Sequence, residues 1–176
     1  MAEKKAERKY TAKYKVLDII LFKPTKWNIF GQIVSWVTNS PYCHIGIALT
    51  DDLLIEALST VKVSSIYKRG KAGTVFRYTQ EITPSQIKMA QNYLTNLIAR
   101  RYDVGNLFDI LINMARALIG RHYRPYFQKD DRPICSELVA RAYHAAGIDL
   151  FPDKPLWAVT PADFAENKYF KREVMP

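Results

Sequence analysis

A cysteine stands at the start of one strongly helical stretch, and a histidine stands in a strand-like run far upstream of it. Cys135 lies in the helical run 134–140, and His44 opens the run 44–49. The partial positive charge and unpaired N–H groups of a helix N-terminus lower the pKa of a thiol, and a nearby imidazole holds the thiolate as an ion pair. If the fold brings the two residues together, they form the nucleophile of a cysteine hydrolase or acyltransferase.

The pattern around Cys135 is compatible with a catalytic and with a structural role. The same helical face carries Leu138 and Val139, so the thiol points toward packed structure while it stays near the helix end. A free cysteine taken by itself is most often a small buried hydrophobic residue. The other cysteine, Cys43, alternates to the strand face opposite His44, and we expect it in the core.

An acidic residue is predicted to lie beside His44. Residues 44–49 and 53–57 form a predicted β-hairpin, and Glu56 is the acid inside its otherwise apolar second strand. A three-residue loop puts Glu56 opposite Gly46 and diagonal to His44, a five-residue loop puts it directly opposite His44, and a two-residue loop separates the two faces. In the first two cases Glu56 can accept the second ring N–H of His44 and fix its tautomer. Its rival role is a salt bridge to a basic residue.

The other periodic segments mix strands and helices without βαβ alternation, which predicts an α+β fold. A capping box at Thr83 begins one helix, and Gly147 ends the helix of Cys135. A further amphipathic helix over 26–37 has an apolar face formed by Ile29, Phe30, Ile33, Val34 and Val37. The remaining predicted elements are strands over 16–22 and 74–78 and helices over 106–119 and 160–164.

Charge divides the chain into a basic tail and one domain. The net charge is +9, and residues 1–15 contribute six basic against two acidic side chains, a balance of +4. We therefore predict a flexible tail over residues 1–14 and a single domain over 15–176. The tail is either a solvated segment or an anchor for an anionic surface, such as nucleic acid, cell-wall polymer or lipid head groups. Basic residues elsewhere are scattered, which argues against specific nucleic-acid recognition.

Several classes of protein are not expected from this sequence. Its two cysteines make no disulfide framework, and no Cys or His pair has the spacing of metal ligands, so neither a metal nor another cofactor is predicted. No apolar segment follows the basic residues of the N-terminus, and no run reaches the roughly 18 apolar residues of a membrane span. We therefore expect synthesis in a cytosol without the common export signal.

Six short motifs together resemble one known family, the circularly permuted NlpC-like papain-fold amidases, a group that contains YiiX-like and YaeF-like proteins. In that family's order they cover residues 18–22, 40–47, 54–57, 101–103, 134–139 and 160–164. His44 precedes Cys135 here, whereas ordinary NlpC enzymes carry the cysteine first. The chain departs from the family at Leu17, where a glycine usually precedes the opening motif.

The resemblance implies a permuted papain-like fold, with a small antiparallel sheet packed against helices, and a thiol amidase mechanism. Cys135 would be the nucleophile that forms a thioester, His44 the base and Glu56 its orienter. We expect Tyr102 and Tyr42 to line the substrate site. The implied bond is an amide in a cell-wall peptide of peptidoglycan.

Two alternatives remain open at this stage. One is a lipid acyl hydrolase or acyltransferase, because the related retinol acyltransferase group uses similar parts. The other is a structural or binding component of a virion or a cell-wall complex, attached through the basic tail. A basic chain without a signal peptide fits a phage-encoded or virion-associated protein.

Overall fold

One six-stranded antiparallel sheet organises the chain in the computed structural model, which describes residues 14–58, 60–98 and 134–174. The strands are β1 (Ile19–Phe22), β2 (His44–Ala48), β3 (Leu53–Ala57), β4 (Val61–Ser65), β5 (Gly73–Tyr78) and β6 (Phe170–Glu173). Their order across the sheet is β4-β3-β2-β1-β5-β6. The strands that carry His44 and Glu56 are therefore neighbours near the middle of the sheet.

Five α-helices accompany the sheet within the described residues: α1 (Ile29–Val37), α2 (Ile66–Arg69), α3 (Pro84–Asn96), α4 (Cys135–Ala145) and α5 (Pro161–Glu166). Single 3₁₀ turns lie at Gly70–Ala72 and Leu156–Ala158. This mixture confirms the predicted α+β class. Within the described part of the chain, none of the helices has the length and apolar character that a membrane crossing requires.

The two faces of the sheet are covered differently, because alternate strand residues point to opposite sides. One face joins α3, α4 and α5 in the main core, where Ile45, Ile47, Leu94, Leu138 and Val139 are buried. The other face carries a smaller apolar cluster made of Tyr14, Ile20, Phe22, Ala48, Leu54, Ile66 and Val75. By strand alternation, His44 and Glu56 belong to this second face.

The β2–β3 hairpin has the register of a three-residue loop. Gly46 pairs with Glu56, and the N–H of Leu49 donates to the carbonyl of Leu53 at 2.8 Å. A β-carbon at Gly46 would lie 3.1 Å from the carbonyl oxygen of Ile55 and 3.2 Å from Cγ of Glu56. Gly46 therefore lets the Glu56 side chain lie flat against β2 and extend toward His44.

The folded part of the chain includes the last residue of the predicted tail. Tyr14 is buried, and its ring makes an edge contact with Tyr67 at a centroid distance of 5.5 Å. Residues 1–13 lie outside the described part, so the tail itself stays a prediction. Leu17 has a φ of 67°, in the left-handed region that favours glycine. The N–H of buried Leu17 donates to Ala48, and its carbonyl accepts from the Tyr143 hydroxyl, so this turn is held on both sides.

The helix boundaries follow local capping chemistry. The predicted capping box begins α3, where the N–H of Gln86 donates to Thr83 Oγ1 and the N–H of Thr83 donates back to Gln86 Oε1. Gly147, with a φ of 73°, lies just beyond α4, as predicted. The same type of box, formed by Thr160 and Asp163, begins α5. The predicted helix over 106–119 lies outside the described residues.

Helix α1 differs from its prediction in where it begins and in which face it buries. It begins after Asn28, whose Oδ1 accepts the N–H of Gly31 at 2.8 Å, rather than at residue 26. Its buried residues are Gly31 and Val34, whereas Ile29 is exposed. Gly31 decides this orientation, because a β-carbon there would lie only 2.9 Å from the sulfur of Cys43.

Candidate active site

Cys135 is the first residue of α4, and the helix holds it at the edge of the main core. Leu138 is fully buried one turn later, while Cys135 itself remains partly exposed. Ser136 donates from its hydroxyl to the carbonyl of Val159 at 2.5 Å. Glu137 accepts the N–H of Ile134 at 3.4 Å. These bonds fix the first turn of α4, so the thiol is positioned by rigid surroundings.

The fold brings Cys135 and His44 into contact. The two side chains lie close enough for each to change the pKa of the other through charge and hydrogen bonding, and the backbone of Ile45 also lowers the thiol pKa. Because the Nε2 atom of His44 is engaged by Glu56, Nδ1 is the ring nitrogen left for the sulfur. The strand that begins at His44 therefore supplies both a side-chain and a main-chain partner to the thiol.

This contact changes the pKa values of both groups in opposite directions. Burial alone raises the pKa of Cys135, but the charge and hydrogen bond of His44 outweigh burial and lower the thiol pKa below its ordinary value. Burial alone lowers the pKa of His44, but the Cys135 thiolate and the bonds to Cys135 and Glu56 outweigh it and raise that pKa to about 9. These opposite shifts favour the thiolate–imidazolium pair over the neutral pair.

Glu56 lies behind the imidazole, as the sequence predicts. Its Oε2 is 3.0 Å from Nε2 of His44, and its side chain is only 4% exposed. Arg69, at the end of α2, donates from Nε to both carboxylate oxygens at 3.1 Å, and the Ser64 hydroxyl lies 3.4 Å from Oε1. Burial raises the pKa of Glu56, but the bonds and charges of His44 and Arg69 outweigh it and lower that pKa. Glu56 thus makes both contacts that were weighed for it, one with the His44 ring and one with a basic residue.

An aromatic ring completes this side of the site. The Phe22 ring lies 5.6 Å from the His44 ring, and the Arg69 guanidinium lies 4.4 Å from the centroid of Phe22. Phe22 therefore covers His44 and supports Arg69 through a cation–π contact. Sequence analysis did not single out Phe22, Ser64 or Arg69. Alternation on β1 places Phe22 correctly, but Arg69 offers no signal beyond the basic run in which it stands.

The second cysteine behaves in the opposite way. Cys43 is buried, and its thiol lies 3.6 Å from the carbonyl oxygen of Phe22. Burial, together with the nearby Cys135 thiolate, raises the pKa of Cys43 to about 11. One chain therefore contains a thiol favoured as thiolate beside a thiol kept protonated, and the predicted core position of Cys43 agrees with the structure.

The two tyrosines predicted to line the substrate site have different outcomes. Tyr42 is buried in the main core, and its ring packs edge-on against Phe76 at 5.9 Å. These contacts give Tyr42 a packing partner in the core, and its place at a substrate site stays a prediction. Tyr102 lies outside the described residues.

The donor groups of the site suit acyl transfer by a thiolate. Among the described residues, no three His, Cys, Asp or Glu side chains lie close enough together to hold a metal ion. The first turn of α4 presents backbone N–H groups beside the sulfur, and such groups can stabilise a developing oxyanion. The arrangement thus contains a thiol of lowered pKa, an imidazole of raised pKa, a carboxylate beside that imidazole and backbone N–H groups at the start of a helix.

Comparison with known proteins identifies the fold. No protein-family model and no curated protein sequence matches the chain. Its structure is similar to the crystal structure of the metalloprotein yiiX from Escherichia coli O157:H7, DUF1105, with a TM-score of 0.66 and 16% sequence identity. The similarity covers 94% of this chain and 99% of that one. At this identity the comparison shows a shared YiiX-like fold, which confirms that part of the expected resemblance.

Proposed function

We propose that this chain is a thiol hydrolase with a permuted papain-like fold, which cleaves an amide bond through Cys135, His44 and Glu56. The observation that supports it best is the contact between Cys135 and His44, with the thiol pKa lowered and the imidazole pKa raised. A merely structural cysteine in apolar surroundings has the opposite shift, which is the behaviour of Cys43.

The proposed reaction has two halves. The Cys135 thiolate attacks the amide carbonyl carbon, and N–H groups of the first turn of α4 stabilise the resulting oxyanion. His44 donates its proton to the leaving nitrogen as the C–N bond breaks, which releases an amine and leaves a thioester. The neutral imidazole then takes a proton from water, the hydroxide attacks the thioester, and the carboxylic acid leaves as the thiolate reforms.

Glu56 acts on this sequence through His44. Its carboxylate holds the Nε2–H of the ring, so Nδ1 stays directed toward Cys135 in both protonation states. It also stabilises the imidazolium that the first half requires. We propose a cell-wall peptide as the substrate because the motif resemblance points to amidases of that class. The yiiX protein is described as a metalloprotein, but the residues described here offer no metal cluster, so we assign no step to a metal.

Alkylation by iodoacetamide, measured by peptide mass spectrometry between pH 5 and 10, tests the nucleophile. We expect fast labelling of Cys135 below pH 7, slow labelling of Cys43, and loss of the fast reaction in His44→Ala. Cys43 serves as the control within each molecule. Labelling of Cys135 that appears only near its ordinary pKa of about 8.5, in both proteins, would contradict the ion pair.

Digestion of purified peptidoglycan tests the bond. We expect the wild-type protein to release new amino groups from the stem peptides and Cys135→Ser to release none. A reactive Cys135 with no amine release would refute the amide substrate while the thiolate mechanism stands, and an acyl ester substrate would then be tried. An unreactive Cys135 with retained binding to peptidoglycan would favour the structural or binding role.

A further inference from the structure

Helix α1 and Trp27, the residue before its cap, present an apolar surface to solvent. Trp27, Ile29 and Trp36 are 94%, 71% and 82% exposed, and Ile33 is 41% exposed. We call these four residues the α1 apolar surface. Large side chains are costly to leave in water, and a cluster of them on one short element marks an interaction surface.

The geometry of helix α1 directs this surface toward solvent. Ile29, Ile33 and Trp36 follow the spacing of one helical face, whereas Gly31 and Val34 on the opposite face are buried. The contact of Gly31 with Cys43 brings α1 close to the sheet and leaves no freedom to rotate the apolar face inward. The helix is therefore formed and oriented before any partner binds.

The charged residues next to α1 in the sequence are all of one sign. Lys23 and Lys26 precede Trp27 and are exposed. No Asp or Glu occurs anywhere in residues 19–50, and the chain as a whole has a net charge of +9. A partner for this surface must therefore combine an apolar layer with negative charge beside it.

We propose that the α1 apolar surface docks the protein onto an anionic lipid bilayer. Tryptophan is enriched at the boundary between head groups and acyl chains, and an amphipathic helix with adjacent lysines lies in that boundary with its apolar face down. Lys23 and Lys26 would contact lipid phosphates while Trp27 and Trp36 enter the head-group layer. The short helix bears this role because it is already folded against the sheet.

Docking of α1 would bring the candidate active site to the membrane surface. Helix α1 connects the end of β1 to the start of β2, so Phe22 precedes it and His44 follows it. These two residues contact each other beside Cys135. The docking inference stands on exposure, helix geometry and charge, so it holds whether or not the proposed amide chemistry is correct.

Vesicle binding tests the inference with the full chain. The chain has three tryptophans, and a Trp157→Phe background leaves Trp27 and Trp36 as its fluorophores. With vesicles of phosphatidylcholine and phosphatidylglycerol in equal amounts, we expect a blue shift of tryptophan emission and co-sedimentation. We expect at least about a tenfold weaker partition onto phosphatidylcholine alone, because each lysine at an anionic surface contributes about 1 kcal/mol.

Paired variants separate the α1 surface from total charge and from the N-terminal basic residues. We expect Trp27→Ser/Trp36→Ser to lower the partition coefficient at least about tenfold, and Val174→Ser, an exposed apolar residue elsewhere, to leave it unchanged. Lys23→Glu/Lys26→Glu should weaken binding far more than Lys62→Glu/Lys171→Glu, which changes the net charge equally.

Three results would overturn the inference. The first is tryptophan emission that does not shift while the protein sediments with vesicles, which would assign binding to the N-terminal basic residues. The second is equal loss in both lysine pairs, which would reduce the effect to net charge. The third is a wild-type protein that binds no vesicles but self-associates in sedimentation velocity, with the self-association lost in Trp27→Ser/Trp36→Ser. That result would assign the surface to a second copy of the chain.

Discussion

The Nε2 atom of His44 lies 3.0 Å from Oε2 of Glu56, and this pair occupies the middle of a row of alternating charges. The Cys135 thiolate and the Glu56 carboxylate are negative, and His44 and the Arg69 guanidinium are positive. Each charge therefore has an opposite neighbour, and the row as a whole is neutral. Such a row stabilises the ion pair of thiolate and imidazolium with no net charge inside the fold.

Replacing the thiol is expected to reduce the basicity of His44. The Cys135 thiolate is the largest influence that raises the His44 pKa, so in Cys135→Ser that pKa should fall from about 9 toward 6.5. Titration of the imidazole by proton NMR measures it, and His144 on the far part of α4 gives a reference signal in the same spectra. An unchanged His44 titration in Cys135→Ser would show that the pair is not coupled.

The same coupling predicts a flat part in the pH dependence of stability. His44, whose pKa is raised, stabilises the fold below pH 6.5 and loses that contribution as the pH rises through about 9. Cys135, whose pKa is lowered, stabilises the fold above 9.0 and loses that contribution as the pH falls through its folded pKa. Wherever the folded ion pair faces the unfolded neutral pair, the two states bind the same number of protons, so the pair adds no slope to the free energy of unfolding. Urea unfolding at pH 7, 8 and 8.5 checks this expectation.

Neutralising Glu56 should slow the chemistry more than it disturbs the fold. In Glu56→Gln the amide can still contact the ring, but the imidazolium loses its counter-charge, so we expect kcat/KM to fall roughly 10²- to 10⁴-fold. The rate of Cys135 alkylation at pH 7 should fall as well. Ser64→Ala is the matched control, because its hydroxyl lies 3.4 Å from the same carboxylate and holds no charge. Equal losses in the two variants would contradict the orienting role of Glu56.

Removing the charge of Arg69 should act on the thiol at a distance. The Arg69 side chain is 41% exposed, so solvent screens it, and we expect Arg69→Met to slow Cys135 alkylation only about fivefold. The pKa of Glu56 should rise in this variant, because Arg69 helps to lower it. Arg69→Lys should restore part of the rate, since lysine keeps the charge and loses the two-fold contact. Arg172→Met, on exposed β6, should change nothing, and a fall there equal to that of Arg69→Met would refute a positioning role.

Replacing Asp18 is expected to have a large effect, and the effect should be on stability alone. It is 1% exposed, and Arg77 donates to its two oxygens at 2.8 and 2.7 Å. Loss of the carboxylate removes both short bonds from Arg77 and the bond that Asp18 accepts from the N–H of Lys15, so Asp18→Ala should lower the free energy of unfolding by about 2–4 kcal/mol in a urea titration. Lys154→Met, which breaks the more exposed pair with Asp163, should cost less than about 1 kcal/mol. Similar losses of unfolding free energy in the two variants would show that the buried Asp18 pair contributes no more than the exposed one.

The sequence was sufficient for the features that depend on local rules. Alternation together with a three-residue loop predicts the pairing of Gly46 with Glu56, and helix capping predicts where α3 begins. Cys135 at the start of α4 follows from the helical pattern after it. These predictions hold because each depends on residues close in sequence, where strand alternation and helix capping decide the geometry.

The features that sequence did not predict depend on contacts between distant segments. Strands β4 and β6 lie at the two edges of the sheet and carry few apolar residues, two in β4 and one in β6, so neither was predicted. Arg69 reaches Glu56 only because the short helix α2 follows β4. The predicted core face of α1 is wrong at Ile29 and Ile33, since the contact of Gly31 with Cys43 turns another face inward.

The hairpin that places Glu56 beside His44 also has a bearing on the order in which the chain folds. His44, Glu56 and Arg69 come from one short stretch, so these contacts close small loops and form at little entropic cost. Cys135 joins them from much farther along the chain, when α4 docks on β2. We expect hydrogen-exchange protection of the Ile47 and Ile55 amides to appear during refolding before Cys135 becomes alkylatable at low pH, and simultaneous recovery would refute this order. A partly folded chain would then have His44 and Glu56 in contact while the Cys135 thiol is still unreactive. The pair of Cys135 and His44 would therefore form only when α4 docks.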